Sequence, residues 1–425
     1  MEEKEKKKDN KVKQFFHKLF VTENEDNPSI VLKIYQKKAT KSILASLISI
    51  GIGLLVGLLI MIGIAIFKED VTIAKAFKGL GLLIKGPFAS KSSKYWLTNM
   101  GNSIFYAVPL IFTGLSVGIA FKTGLFNIGA PGQYVMGTIG ALLVGLYIKT
   151  NTAFSGFLVW LLALLTGALF GMLWGIIPGL LKAFFKINEV IICIMTNWIA
   201  ANIATWVFEN CPSIINPGNT KSSYLITTAA TGNGTPTLGL DKLFTGSYID
   251  IGIIIAIVIA IVIYLILEKT ILGYELKACG FNRNAAKYAG LNEKRNIILS
   301  MAIAGALAGI GASLYFLNPG IEYKFTAQYL ILPSYGFNGI ASAFLANCNP
   351  IGTIFSSLFM RHITMGGEYL TSVGLDRNIA EIIISVIIYV AGLSRIIREF
   401  LSKRENNKSK NKLTVDKVDK EAKNG

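Results

Sequence analysis

The sequence predicts an all-α polytopic membrane protein with about ten transmembrane helices. Three observations carry that expectation. Hydrophobic residues make up 52% of the 425 and charged residues only 16%, with a mean hydropathy of +0.52, more apolar than a water-soluble core requires. Uncharged stretches at 42–67, 95–121, 123–148 and 150–181 each reach the ~20 residues that a bilayer-crossing helix needs. Basic residues cluster at the two ends and at one internal loop, which fixes a consistent topology.

The elements follow in chain order. Residues 1–41 hold eleven Lys against seven acids and read as a basic cytoplasmic tail. The first apolar run follows a long lysine-rich stretch and has no small-residue cleavage site behind it, so it is expected to stay as an anchor. Spans near 43–67, 102–121, 124–148, 156–181, 188–208 and 250–267 bring the chain back to the cytoplasm at loop 268–295, which carries Lys269, Lys277, Arg283, Lys287, Lys294 and Arg295. Spans near 297–317, 327–346, 350–367 and 378–395 then return the basic tail 401–425 to the cytoplasm, within a transmembrane region of 42–400. Arg361 and His362 interrupt the ninth span. Parity retains it, with eight spans as the alternative count.

Two external loops complete the layout. The first, 68–100, carries six Lys despite facing out, and 72–86 reads as an amphipathic helix lying along the surface. The second, 209–249, is rich in Gly, Pro, Asn, Ser and Thr and reads as a folded or mobile loop, either a contact for a delivering partner or a spacer.

Several function classes recede on composition. The charge of +17 sits mainly in the tails, which favours solvated cytoplasmic ends over a nucleic-acid face. Cys193, Cys211, Cys279 and Cys348 show no CxxC spacing, and His17 and His362 cannot assemble a metal or hydrolase centre between them. No GxxxxGK[ST] phosphate loop occurs, so ATP hydrolysis is not expected of this chain. Gly167, Gly171 and Gly175, and separately Gly305 and Gly309, stand four residues apart, a spacing that lets helix backbones approach.

Polar residues at membrane depth carry more information, because each must face a partner or a water-filled space. In Phe126-Asn127-Ile128-Gly129-Ala130-Pro131-Gly132-Gln133, Asn127 and Gln133 bracket residues that break a helix. Tyr335-Gly336-Phe337-Asn338-Gly339-Ile340 repeats the theme about 210 residues later. Paired interruptions of this kind mark a solute path at the interface of an inverted repeat, or else two packing turns whose Asn side chains cap helices. Glu189 reads as a surface or gating charge or a structural partner, and Arg361 and Glu381 are a candidate ion pair.

The stretch Gly124-Leu125-Phe126-Asn127-Ile128-Gly129 with Gly132-Gln133 resembles the signature of the permease family serving ABC-type importers of branched-chain amino acids, simple sugars and nucleosides. Gly273-Tyr274-Glu275-Leu276-Lys277-Ala278, with Asn282, Ala285, Ala286, Tyr288, Ala289, Gly290 and Asn292, resembles the family's cytoplasmic loop. Gly336-Phe337-Asn338-Gly339-Ile340 through Asn349-Pro350-Ile351-Gly352 resembles its late membrane motif. The resemblance spans roughly residues 100–395 and implies a fold similar to the vitamin B12 importer class.

It also implies an import subunit of the plasma membrane, both termini cytoplasmic, with no catalytic residue, metal or cofactor of its own. Its partners would be an ABC ATPase subunit that hydrolyses ATP, a second permease subunit (paralogue or copy), an extracellular solute-binding lipoprotein and the lipid bilayer, with no nucleic acid. The ATPase would grip the short helix formed by Gly273, Glu275, Ala278, Asn282, Ala285, Ala286, Tyr288 and Gly290. Ile187-Asn188-Glu189-Val190-Ile191, with Met195-Thr196-Asn197-Trp198-Ile199-Ala200, is similar to the nucleoside-carrying subgroup, of the purine nucleoside or guanosine type. A nucleoside path needs amides and aromatic faces, and Phe126, Asn127, Gln133, Asn197, Trp198, Phe337 and Asn338 offer both. The same set suits ribose or galactose. An ion-coupled secondary transporter is the rival of another class, weakened by the scarcity of central carboxylates, and a membrane enzyme lacks any catalytic constellation.

Overall fold

The computed structural model describes residues 38–211, 224–226, 233–325 and 332–393. The tail beyond 393, nearly all of the N-terminal tail and much of the loop 209–249 lie outside them. By internal contacts the chain divides into residues 1–53 with 389–425, and residues 54–388. In the first unit Ser49 Oγ donates to the Ala45 carbonyl (2.9 Å), so this serine is satisfied inside its own helix. Residues 54–388 carry every site described below.

The architecture is helical. The long helices are α1 (Lys38–Phe67), α3 (Trp96–Lys122), α4 (Ala130–Tyr147), α5 (Ala153–Phe185), α6 (Glu189–Glu209), α8 (Gly252–Lys269) and α11 (Glu293–Phe316). Shorter ones are α2 (Ile73–Lys85), α7 (Leu240–Leu243), α9 (Ile271–Phe281), α10 (Arg283–Tyr288), α12 (Ser334–Leu345), α13 (Pro350–Glu368) and α14 (Ile379–Leu393). A two-stranded antiparallel ribbon pairs β1 (Tyr224–Ile226) with β2 (Tyr323–Phe325). Six helices among the described residues are long and apolar enough to cross a membrane, and the pair α12–α13, bent by 120°, makes up to seven. Each of the ten stretches expected to span contains a helix, but the third starts only at Ala130, because residues 123–129 form a turn.

Helices α3 and α11 are buried along most of their length, whereas α1, α5 and α8 turn Leu55, Leu59, Leu158, Leu165, Ile254 and Val258 outward. An apolar exterior wrapped around a polar-containing interior suits a lipid solvent, in which backbone groups must be satisfied within helices. The densest packing joins α5, α11 and α4. A Cβ on Gly171 would fall on the Gly305 carbonyl, one on Gly305 on the Gly171 carbonyl, one on Gly309 on the Gly167 carbonyl, and one on Gly137 on the Gly309 backbone. The four-residue glycine spacing is therefore a backbone-to-backbone seam.

Helix α2 appears where the amphipathic stretch was expected, burying Ala76, Gly79 and Leu83 and leaving Lys75 and Lys78 exposed. Helices α12 and α13 form a tight hairpin. Ser342 Oγ meets Ser356 Oγ (2.8 Å) and Ser357 Oγ (2.7 Å), and Asn349 caps α13 by accepting from the Gly352 N–H (3.0 Å). The turn between them holds Asn347 and Cys348 at positive φ (51° and 54°), a conformation costing roughly 1–2 kcal/mol per residue.

Gly171→Ala inserts a methyl against a carbonyl and is expected to lower the thermal midpoint of the solubilised protein by the equivalent of about 1–3 kcal/mol. Gly63→Ala on α1, where nothing lies within 4 Å, is expected to leave it unchanged or raise it slightly. Equal tolerance of both changes in a thermal melt would refute the seam as a stability determinant.

Candidate functional site

The chain leaves α3 through Gly124, whose φ of +71° calls for glycine, while the Leu125 N–H returns to the Ala120 carbonyl (2.9 Å). The turn then buries Asn127 completely. Its Nδ2 donates to Ser116 Oγ (3.2 Å) and Gln133 Oε1 (2.9 Å), and its Oδ1 accepts from the Gly129 N–H (3.0 Å) and Gln133 Nε2 (3.3 Å). From α6, Asn197 Oδ1 accepts from the Gly132 N–H (2.8 Å) while its Nδ2 donates to the Ile128 carbonyl (2.9 Å). Two orphan N–H groups at the start of α4 are thereby satisfied by side-chain amides. A side chain at Gly132 would collide with Asn197.

The seven residues expected to line a path therefore separate into two groups. Asn127, Gln133 and Asn197 come together as a buried lock whose polar atoms are occupied within the protein. Trp198, Phe337 and Asn338 are exposed on the outside of the helices that carry them, and half-buried Phe126 stacks on Phe344 at 6.0 Å. On α12, Gly336 and Gly339 turn inward, against Pro131 and Thr113, which leaves Phe337 and Asn338 on the opposite face.

The motif 273–290, expected at the cytoplasmic face, folds as two helices rather than one. Gly273 lies against the Leu267 backbone, Glu275 and Ala278 are half-buried, and α9 ends at Asn282, whose Oδ1 accepts from the Ala285 N–H (3.1 Å) to start α10. Ala285 is exposed, Ala286 is buried, and Gly290 closes the turn at φ +80°. Tyr288 is 94% exposed, and Phe281, which sequence reasoning passed over, is 96% exposed. Its signal was available: a phenylalanine inside a basic, polar stretch has no core to enter. This segment also grips the α3–α4 turn. Arg283 Nη2 donates to the Gly124 carbonyl (2.9 Å), and the Gly280 backbone lies so close to Gly124 that a Cβ there would sit 3.1 Å away.

Charges resolve differently from expectation in one case. Glu189 pairs with Lys182 at 2.7 Å, tying the start of α6 to the end of α5. Arg361 does not pair with Glu381. Its guanidinium instead lies 4.8 Å from the ring of Tyr106, while Glu381 is exposed; the two acquire different neighbours because Arg361 points toward α3. Around it gathers an aromatic basin that the sequence did not reveal. Tyr315 and Tyr335 have centroids 4.9 Å apart, and Tyr106 lies 6.1 Å from Tyr315 and 6.3 Å from Tyr248.

Residues 99–392 match the protein family described as branched-chain amino acid transport system / permease component. The nucleoside ABC transporter permease protein NupB of Lactococcus lactis subsp. cremoris is 33% identical over 86% of this chain and 94% of its own length. The guanosine ABC transporter permease protein NupP of Bacillus subtilis is 32% identical over 86% of this chain and 97% of its own length. The glucose ABC transporter permease protein TsgB13 of Haloferax volcanii is 27% identical over 73% of this chain and 79% of its own length. No solved structure matches. With the family match covering the helical region from α3 to α14, this chain belongs to the branched-chain amino acid transport system / permease component family, a family of membrane transport subunits rather than enzymes.

Proposed function

We propose that this chain is the membrane-spanning subunit of an ABC-type importer of nucleosides. The carrying observation is the similarity, over 86% of the chain, to two permeases named for nucleosides and guanosine; the glucose permease relative is less similar, at 27%. In this reading the chain carries no catalytic group or cofactor, and ATP is hydrolysed on a separate ATPase subunit. A second permease completes the path, and a solute-binding lipoprotein delivers from outside the plasma membrane. The ten-helix arrangement with an inverted repeat, similar to the vitamin B12 importer class and with both termini cytoplasmic, belongs to the same proposal. It is supported by helices in all ten expected stretches.

The geometry supplies a route for the power stroke. Phe281 and Tyr288 project from α9 and α10 as anchors for the ATPase, alongside Glu275, Ala278 and Ala285, while Gly273, Asn282, Ala286 and Gly290 shape the segment that presents them. A shift of this segment is carried by Arg283 and Gly280 directly to Gly124, three residues before Asn127. The amide lock of Asn127, Gln133 and Asn197 then ties that movement to α4 and α6. Trp198, Phe337 and Asn338 face outward, where a second permease subunit would close a shared path, with Phe126 at its edge.

Cells carrying the complete importer are expected to take up labelled nucleosides, with competition by nucleosides and not by ribose, galactose or leucine. Competition by ribose alone would select the sugar reading. Phe281→Ser combined with Tyr288→Ser is expected to reduce recovery of the ATPase in pull-downs by about tenfold, a loss on the scale of one aromatic anchor; undiminished recovery would remove these side chains from the docking surface. Asn127→Ala leaves the Gly129 N–H and Gln133 without their partner, and is expected to lower both the thermal midpoint, by about 1–3 kcal/mol in equivalent stability, and transport. Asn338→Ala is expected to lower transport with the midpoint unchanged. Normal transport by Asn338→Ala would exclude it from the path.

A further inference from the structure

Arg361 is the least explained side chain in the described protein. It sits within α13, in the bent apolar pair α12–α13, where a guanidinium is costly unless its donors are used. Among the described residues it makes no ion pair and no hydrogen bond, and its Nε is buried without a partner. Its guanidinium lies over the Tyr106 ring, a contact that takes up one face of the planar cation and none of its N–H donors.

The surroundings say what those donors can meet. Tyr106, Tyr315 and Tyr335 come from α3, α11 and α12, and Tyr248 comes from the segment ahead of α8. Behind them Phe105 is buried and stacks on Tyr315 at 5.5 Å. Arg361 and the three helix-borne tyrosines are each partly exposed, so the basin is reachable rather than sealed. The Tyr335 hydroxyl is 3.4 Å from that of Tyr315, and the Tyr248 backbone is held in place by Asn102, whose Oδ1 accepts its N–H (3.0 Å). The basin therefore combines flat aromatic faces, hydroxyls and one forked, unsatisfied set of donors.

We propose that this basin binds the base of 6-oxopurine nucleosides, such as guanosine and inosine, with Arg361 as the specificity-determining residue. The inference rests on the nucleoside-permease reading and deepens it. A 6-oxopurine presents two adjacent acceptors, O6 and N7, which match the arginine fork, whereas adenine offers a donor at the 6-position in place of O6. Tyrosine rings stack on any base and so contribute affinity without choosing among bases. A branched-chain amino acid would engage the fork through its carboxylate but gains nothing from stacking surfaces. A neutral base suits this partly exposed cation because the contact asks for charge-assisted hydrogen bonds and not for a second charge.

The test is saturation-transfer NMR on the solubilised permease–ATPase complex without the binding protein, with the ATPase sites filled beforehand by a non-hydrolysable ATP analogue. Guanosine and inosine are expected to give saturable signals, with adenosine, 7-deazaguanosine and leucine weaker by about tenfold, the scale of one bidentate base contact. Arg361→Lys keeps the charge but loses the fork, and is expected to abolish the preference while retaining weak, base-independent binding. Equal signals for guanosine and adenosine with the wild-type complex, or an unchanged preference in Arg361→Lys, would overturn the proposal. If Arg361→Lys does not fold, the wild-type comparison of guanosine with 7-deazaguanosine decides alone, since only the N7 acceptor differs. Failure here with nucleoside uptake intact in cells removes only this site, whereas absence of uptake of any nucleoside removes the underlying reading.

Discussion

The contact on which the rest of the structure depends is the glycine seam where α5, α11 and α4 meet backbone to backbone at Gly137, Gly167, Gly171, Gly175, Gly305 and Gly309. In lipid there is little hydrophobic gain from bringing helices together, so close van der Waals packing and short-range polar contacts have to supply it. The seam fixes α11 within the second unit, with Tyr315 at one end and Asn296 at the other, both on the same helix. It also sets α4 at a defined height beside α5, which places the start of α4, and with it the amide lock, beside α6.

The lock and the helices α9 and α10 meet at one turn. Every polar atom named in the lock has a partner inside the protein, so Asn127, Gln133 and Asn197 behave as a rigid body at low local dielectric, where loss of any one bond leaves a desolvated group behind. Gly124 is the position where that body meets α9 and α10, and it is a glycine on two counts: its φ is positive, and the Gly280 backbone occupies the space a side chain would need. The contact between this segment and the α3–α4 turn is thus made through backbone rather than through side chains that can swing away. Arg283 adds a directed tether by donating to the Gly124 carbonyl.

Much of this was legible in the residues themselves. Run length located the helices, glycine spacing announced the seam, and Gly129 to Gly132 marked the break before α4. What could not be read is which way a polar side chain turns. Asn127 and Asn338 sit in similar Gly-Phe-Asn settings, yet one is sealed in the interior and the other exposed, because Gly336 and Gly339 rotate α12 against Thr113 and Pro131. The tyrosine basin was hidden for a different reason. Its members come from positions 106, 248, 315, 335 and 361, and each tyrosine alone resembles an ordinary aromatic near a membrane interface. Arg361 gave a visible clue, but its neighbour is a ring on α3 rather than the carboxylate that charge alone suggested.

The hairpin of α12 and α13 bears on how the molecule is made. At 12 residues, α12 is about 18 Å long, too short to cross a hydrocarbon layer of about 30 Å by itself. During synthesis it therefore has no independent standing as an inserted segment, and its exposed backbone ends need neighbours before they can leave water. Those neighbours are Thr113 on α3 and Pro131 on α4, which precede α12 in the chain, and the serines of α13, which follow it. The length of one helix thus makes α12 dependent on its company: it reaches membrane depth as one half of a bent pair whose other half, α13, supplies the serines it bonds.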